Sequence, residues 1–231
     1  ALGKGVFWIK FFPAVFGALT MVLVWKIIEA LQGDLYALLL GAVAVSLSAV
    51  LRINTLYQPN SFDILAWTGV YFTLIKYIQS QKTKWLYAAA IIFALGFLNK
   101  YNILFLAAGL LPSLLLSPQR KLFAKKQLYF AAAIALLLVL PNIIWQFQNN
   151  FPVLHHLQEL ARTQLVNVNR SDFVKEQLLF YIGALFIIIA AFVALFIYKP
   201  FKPYRFFVWA FAFTIAIFLY LKAKAYYAIG L

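Results

Sequence analysis

Residues Gln177 to Tyr198 read QLLFYIGALFIIIAAFVALFIY, a run of 22 residues without one charge. At about 1.5 Å per residue a helix over this run reaches roughly 33 Å, enough to cross the ~30 Å hydrocarbon core of a bilayer. Such a stretch must be helical, because hydrocarbon offers a free backbone amide no partner. Working outward, Gln127 to Phe147 is equally free of charge, and six further apolar stretches fill most of the remaining chain. The spans expected are about 7–29, 35–52, 61–79, 85–99, 101–117, 127–147, 175–198 and 206–222. The fold class is therefore all-α: a polytopic membrane protein of about eight transmembrane helices.

Composition agrees. Hydrophobic residues make up 65% of the 231 and charged residues 11%, against roughly 25% charged in a soluble domain. The formal charge of +14 comes from 20 basic residues placed singly or in short clusters beside apolar spans. That placement fits topology signals and lipid headgroups, not a nucleic-acid groove. With no cysteine, disulfides, thiolate zinc sites and redox motifs are excluded. No Gly/Ser linker, low-complexity tract or internal repeat divides residues 1–231, which read as one domain. Position 1 is Ala, and Ala223 to Leu231 resemble the opening of another apolar stretch. The chain thus reads as an internal piece of a longer protein, lacking an N-terminal helix, a first external loop and a C-terminal remainder.

Lys82 and Lys84, then Arg120, Lys121, Lys125 and Lys126, then Lys199, Lys202 and Arg205 occupy alternate connections. By the positive-inside rule these loops face the cytoplasm. The 53–60 loop, the hairpin at Lys100, the 148–174 loop and both chain ends then face outward. Five of the six tryptophans lie near span ends, as an interfacial belt predicts. Lys10, Lys26 and Lys76 sit just inside spans and are expected to snorkel.

The outward side gathers the chemistry. Asn60 and Asp63 open the third span, where they suit a helix cap and the positive end of the helix dipole; a substrate role for Asp63 is the alternative. Lys100 interrupts otherwise apolar sequence and suits either a snorkelling anchor or a phosphate partner. In the 148–174 loop, Leu154, Leu157, Ala161 and Leu165 recur at helical spacing, which predicts an amphipathic helix lying along the interface. Its polar face carries His155, Glu159 and Arg162. His155 and Glu159, one turn apart, supply two ligands for a divalent metal, or simply a solvated face. Lys222-Ala-Lys224-Ala-Tyr226-Tyr227 closes the last span, as an interfacial anchor or as a clamp for an anionic headgroup with aromatic rings for a sugar.

Several segments together resemble the GT-C membrane glycosyltransferases, in particular the dolichyl-phosphate-mannose protein mannosyltransferase family and its bacterial relatives, including the lipid A aminoarabinose transferases. The stretches that carry the resemblance are FPAVFGALT (12–20), Asn54-Thr-Leu56 with Asn60-Ser-Phe-Asp63, ALGFLNKY (94–101), LPNIIWQ (140–146) and KAKAYY (222–227). The resemblance implies inverting transfer of a sugar from a polyprenyl-phosphate donor to a lipid, glycan or protein acceptor. The reaction would take place on the external face of a plasma membrane. It implies an acidic general base in the first external loop, which would precede Ala1, so these residues alone are expected to be inactive. Lys100, Lys222 and Lys224 become the candidates to stabilise the departing lipid phosphate, with Asp63 and Tyr226 beside them. The alternative class is a lipid or solute transporter. Transporters place broken or polar helices near mid-membrane, whereas these spans are apolar at their centres.

Overall fold

The computed structural model describes residues 5–231, which are helical with no strand. Eleven α-helices follow in chain order: α1 Val6–Ala30, α2 Leu35–Ser46, α3 Ala49–Ile53, α4 Asn60–Ser80, α5 Lys84–Asn99, α6 Ile103–Leu115, α7 Lys126–Gln148, α8 Pro152–Thr163, α9 Arg170–Phe180, α10 Leu185–Ile197 and α11 Phe206–Tyr220. Short 3₁₀ turns link several of them, at Pro118–Ala124, Ile182–Ala184, Lys199–Tyr204 and Ala225–Ala228 among others.

Two helices, α1 and α7, are long and apolar enough to cross a membrane, or up to four spans if each of two bent pairs counts as one. The decisive uncharged run is one of those pairs. It breaks at Ile182–Ala184, so that α9 and α10 meet at 56°. The cause lies in what packs there. Tyr181 Oη donates to the Ile229 carbonyl at 2.8 Å, and a methyl added to Gly183 would sit 2.9 Å from the Leu47 carbonyl oxygen. The 35–52 run is also interrupted: α2 stops at Ser46, and Ser48 restarts the chain by accepting from the Val50 amide at 3.3 Å. The amphipathic helix expected after residue 148 is present as α8.

The bundle is organised around α4. It buries twelve of its residues, Trp67 completely, and lies between α1 and α5. A helix surrounded by protein need not be apolar all round, and α4 carries Asp63, Thr73 and Asn60 among its buried side chains. Outside it, α6 packs on α11, α5 on α7, and α1 on α2. Gly109 permits a close approach of α6 to α11. A methyl there would lie 2.7 Å from the Ala210 carbonyl oxygen and against Thr214 Oγ1, in keeping with small residues at helix contacts within membranes.

The outer faces are apolar. No residue of α10 is buried, and Phe186 is 88% exposed. A water-soluble surface does not carry such a continuous apolar face; these helices associate with membrane. Two apolar grooves run along the flanks. One, of about 430 Å³, lies between α5, α6 and α7; the other, of about 590 Å³, lies between α4, α9, α10 and α11 and reaches Ala228 and Leu231.

The polar connections sort into two ends. At one end Lys125 Nζ donates to Gln81 at 2.7 Å, and Gln119 donates to the Pro203 carbonyl at 3.2 Å, joining three basic connections. At the other, the 53–60 turn, the 99–102 hairpin and the 222–231 tail come together. The alternation read from the loops is thus the alternation of the two ends of the bundle.

Candidate functional site

The second end is built on the first turn of α4. The helix starts one residue earlier than a cap at Asn60 requires: Pro59 is the N-cap, no side chain caps the turn, and the Asp63 amide donates to the Pro59 carbonyl at 3.0 Å. Asn60 and Asp63 are therefore not a capping pair. Both point inward, 8% and 5% exposed. A carboxylate removed from water needs donors and a counter-charge, and Asp63 has both. Trp67 Nε1 donates to Oδ1 at 3.0 Å, Asn102 Nδ2 donates to Oδ2 at 2.8 Å, and Lys100 Nζ stands 3.7 Å from Oδ2.

Lys100 reaches this position because the chain leaves helical geometry there. As the residue after α5 it has φ −161° and ψ 127°, which turns its side chain under the hairpin rather than out to lipid. Nζ donates to Asn60 Oδ1 at 2.8 Å and lies 4.6 Å from the Tyr227 ring centroid and 5.4 Å from that of Tyr226. Such cation–ring contacts are worth more when desolvated. Lys100 belongs to the hairpin, outside both flanking helices. Burial pulls its ammonium below the ordinary lysine range, and the Asp63 charge offsets part of that pull.

The tail closes the site from the other side. Asn102 Nδ2 is shared with the Tyr227 carbonyl at 2.9 Å, Gln177 donates to the Ala225 carbonyl at 2.7 Å, and Gly230 lies against the Trp67 indole. Ala223 to Leu231, which look in sequence like the start of another span, are folded into a 3₁₀ turn over Trp67 and held by side chains from α9 and the hairpin. Lys224 extends from this tail. It is hydrogen-bonded to Gln164 and lies 6.0 Å from the same Tyr226 ring that faces Lys100.

Of the residues singled out in sequence, the structure brings together Asp63, Lys100, Tyr226 and Lys224. It does not bring Lys222 to them. That side chain is exposed at a residue with φ 50°, with no hydrogen bond, ion pair or ring contact among the described residues. His155 and Glu159 are both exposed on α8, and among the described residues no group of three or more His, Cys, Asp or Glu converges on a common point. Two protein ligands fall short of the three or four that zinc sites use. The sequence reading missed Asn102 and Trp67. Asn102 directly follows the quoted ALGFLNKY stretch, but its role depends on two partners 39 and 125 residues away. A further network also escaped notice: Tyr101 Oη donates to Asn142 and accepts from Gln146, both at 2.8 Å, while Gln146 Oε1 receives the Val153 amide at 3.3 Å. It ties the hairpin to the end of α7 and the start of α8.

A polar cluster held at one end of a bundle of apolar helices marks a membrane-associated protein with a candidate site at that end. Residues 1–145 match the dolichyl-phosphate-mannose-protein mannosyltransferase family, and the chain belongs to it. It is also 25% identical over 171 residues to the lipid A galacturonosyltransferase RgtD of Rhizobium johnstonii. That match takes in 72% of this chain and 35% of the relative, so the chain spans about a third of the relative's length. No solved structure matches.

Proposed function

We propose that this chain is part of a polytopic membrane glycosyltransferase, inverting in mechanism, that takes a sugar from a polyprenyl phosphate at the end of the bundle where Lys100 lies. The observation that carries the reading is the pair of lysines, Lys100 and Lys224, flanking one tyrosine ring over a buried carboxylate. In such a transfer the acceptor hydroxyl oxygen bonds to the anomeric carbon and its proton passes to a general base. The bond from that carbon to the phosphate oxygen breaks, and the phosphate leaves with the electron pair. Lys100 and Lys224 stabilise that developing charge. Asp63 holds Lys100 in place without neutralising the cluster, since two cations stand against one carboxylate. Asp63 is thus a positioning residue, and Lys222 a weaker, peripheral partner. The base is the acidic residue that the family resemblance puts ahead of Ala1.

The topology proposed with it is eight passes through a plasma membrane, with the Lys100 end external and the basic loops cytoplasmic by the positive-inside rule. The groove of about 590 Å³, lined in part by Ala228 and Leu231 of the tail, takes the prenyl chain. The acceptor is a lipid, glycan or protein on the same face. One observation speaks for a transporter instead, the broken α9–α10 span, since interrupted helices line transport sites. Yet Gln177 and Tyr181, which flank the break, are both spent on the tail, at 2.7 and 2.8 Å.

The test is sugar transfer by the full-length protein with Lys100, Lys224 and Lys222 each replaced by Gln, at matched membrane abundance. A charge-assisted contact to phosphate is worth about 1.5–3 kcal/mol, so Lys100→Gln and Lys224→Gln should lose roughly ten- to more than a hundredfold, and Lys222→Gln less. Unchanged transfer in all three returns these lysines to the role of interfacial anchors.

A further inference from the structure

The groove of about 430 Å³ between α5, α6 and α7 has no part in the transfer proposed above. Its floor, with Ala90 and Ala131, is buried, whereas Leu111 and Leu136 on its rim are half-exposed, so it opens sideways, where the bilayer lies. Along α7 the wall runs from Leu128 to Ile143, about 22 Å at the helical rise, against about 15 Å for half of a hydrocarbon core. At the basic end Leu86, Leu122 and Leu128 line the groove and pack in one cluster with Tyr77. Lys125 stands at that end, between Leu122 and Leu128 in the chain. Its Nζ lies 5.4 Å from the Tyr77 ring centroid and donates to Gln81 Oε1 at 2.7 Å. An ammonium has three hydrogens to give, and among the described residues the other two have no acceptor.

Lys84, Arg120, Lys121 and Lys126 flank this corner, all exposed, and the connections 81–84 and 117–126 contain no acid. Among the described residues none of these four side chains donates a hydrogen bond or forms an ion pair; Lys84 rests only on the Trp85 ring, 5.3 Å from its centroid. Two helices begin here, α5 at Lys84 and α7 at Lys126, and neither start has a side-chain cap or an acid in its first turn. A helix start carries partial positive charge and favours an anion, so these starts set cations against the same sign. Topology accounts for basic residues in a loop. It does not account for their gathering on two uncapped helix starts at the end of an apolar groove. One ligand supplies what both parts lack, negative charge for the corner and an apolar chain for the groove. We propose that an anionic phospholipid of the adjacent leaflet binds here, its phosphate on Lys125 and the first turns of α5 and α7, with one acyl chain in the groove. Basic pockets between membrane helices take anionic headgroups by the same physics. This lipid is neither donor nor acceptor, because its headgroup sits at the end of the bundle opposite Lys100.

The experiment titrates the full-length protein in neutral detergent with phosphatidylglycerol and with phosphatidylcholine of the same acyl chains, and follows bound lipid by native mass spectrometry. Phosphatidylglycerol should bind more tightly. Lys125→Gln should remove about tenfold of that advantage, the loss of one charge-assisted contact to phosphate, and leave phosphatidylcholine unchanged. Lys199→Gln, in another basic connection, should leave the advantage intact; an equal loss there assigns it to the general field of the basic end and overturns the site. Ala132→Phe fills the groove from an exposed position on its rim and should weaken both lipids. Glycerol phosphate, which has the charge without the chains, should not compete. A preference unmoved by Lys125→Gln, binding unmoved by Ala132→Phe, or competition by glycerol phosphate overturns the proposal. Displacement of the phospholipid by polyprenyl phosphate overturns it as well, by giving the groove to the prenyl chain.

Discussion

The two ends of this bundle both carry polar groups and use them in opposite ways. At the basic end Lys82, Lys84, Arg120, Lys121, Lys126, Lys199 and Lys202 are all exposed, and their loops are joined by amide contacts such as Gln119 to Pro203. At the other end Asp63, Asn60 and Asn102 are buried, Lys100 is half-buried, and the bonds among them join residues 39 to 125 positions apart. Exposed cations are stabilised by water and headgroups and set orientation; buried ones are stabilised only by the partners the fold supplies. The buried ion pair is what makes the Lys100 end the candidate site.

The comparison breaks outright if the two ends share a side of the membrane. Single cysteines at Lys121 and at Gln164, in this cysteine-free sequence, should label with an impermeant reagent on opposite faces of the full-length protein in intact cells: position 164 accessible, position 121 not. Labelling of both from one side removes the distinction.

Next in size is the buried pair itself. Asp63→Ala leaves Lys100 unpaired and should cost on the order of 3 kcal/mol of stability in the full-length protein. Removing both charges as Asp63→Ala with Lys100→Met should cost clearly less than the sum of the two single changes. A double-variant cost equal to the sum of the two single costs in denaturation would mean that the pair is not coupled.

Titration sharpens the contrast. Lys100 must be protonated to hold a phosphate, and burial sets its proton affinity below that of a solvated lysine. Donor binding should therefore fall as pH rises, and at lower pH than an ordinary lysine would give. Lys100→Arg, which stays charged, should carry the binding that remains to higher pH. An alkaline limb that does not move in that variant assigns the titration elsewhere.

The smallest effect belongs to the basic end. Lys26 and Glu29 form an ion pair at 2.7 Å with both side chains well exposed, 53% and 42%. Exposed pairs are worth about 0–1 kcal/mol, so Lys26→Gln should shift stability by no more than that and leave donor binding unchanged. A loss as large as that of Asp63→Ala would show that exposure at this end is no guide to energetic weight.

Local composition was enough for the class of protein. Uncharged runs such as 127–147 state their environment residue by residue, and the structure returns that run as α7 at Lys126–Gln148. The sorting of basic loops to one end was legible for the same reason, since charge in a connection needs no partner to be read. Asp63, Lys100, Lys224 and Tyr226 were legible as polar residues in apolar surroundings. Their company was not. The capping reading of Asn60 and Asp63 used spacing alone, and it failed because Lys100 and Asn102 arrive from the next hairpin and draw both side chains inward. The Gln177–Tyr198 run reads as one span because hydropathy averages along the chain. It breaks because Tyr181 and Gly183 answer to Ile229 and Leu47, which only the folded bundle brings near. The sequence by itself determined the solvent of each segment, a property of the side chains it contains. Tertiary structure decided which polar groups meet, because the low-dielectric interior makes each buried group depend on a partner that may stand a hundred residues away.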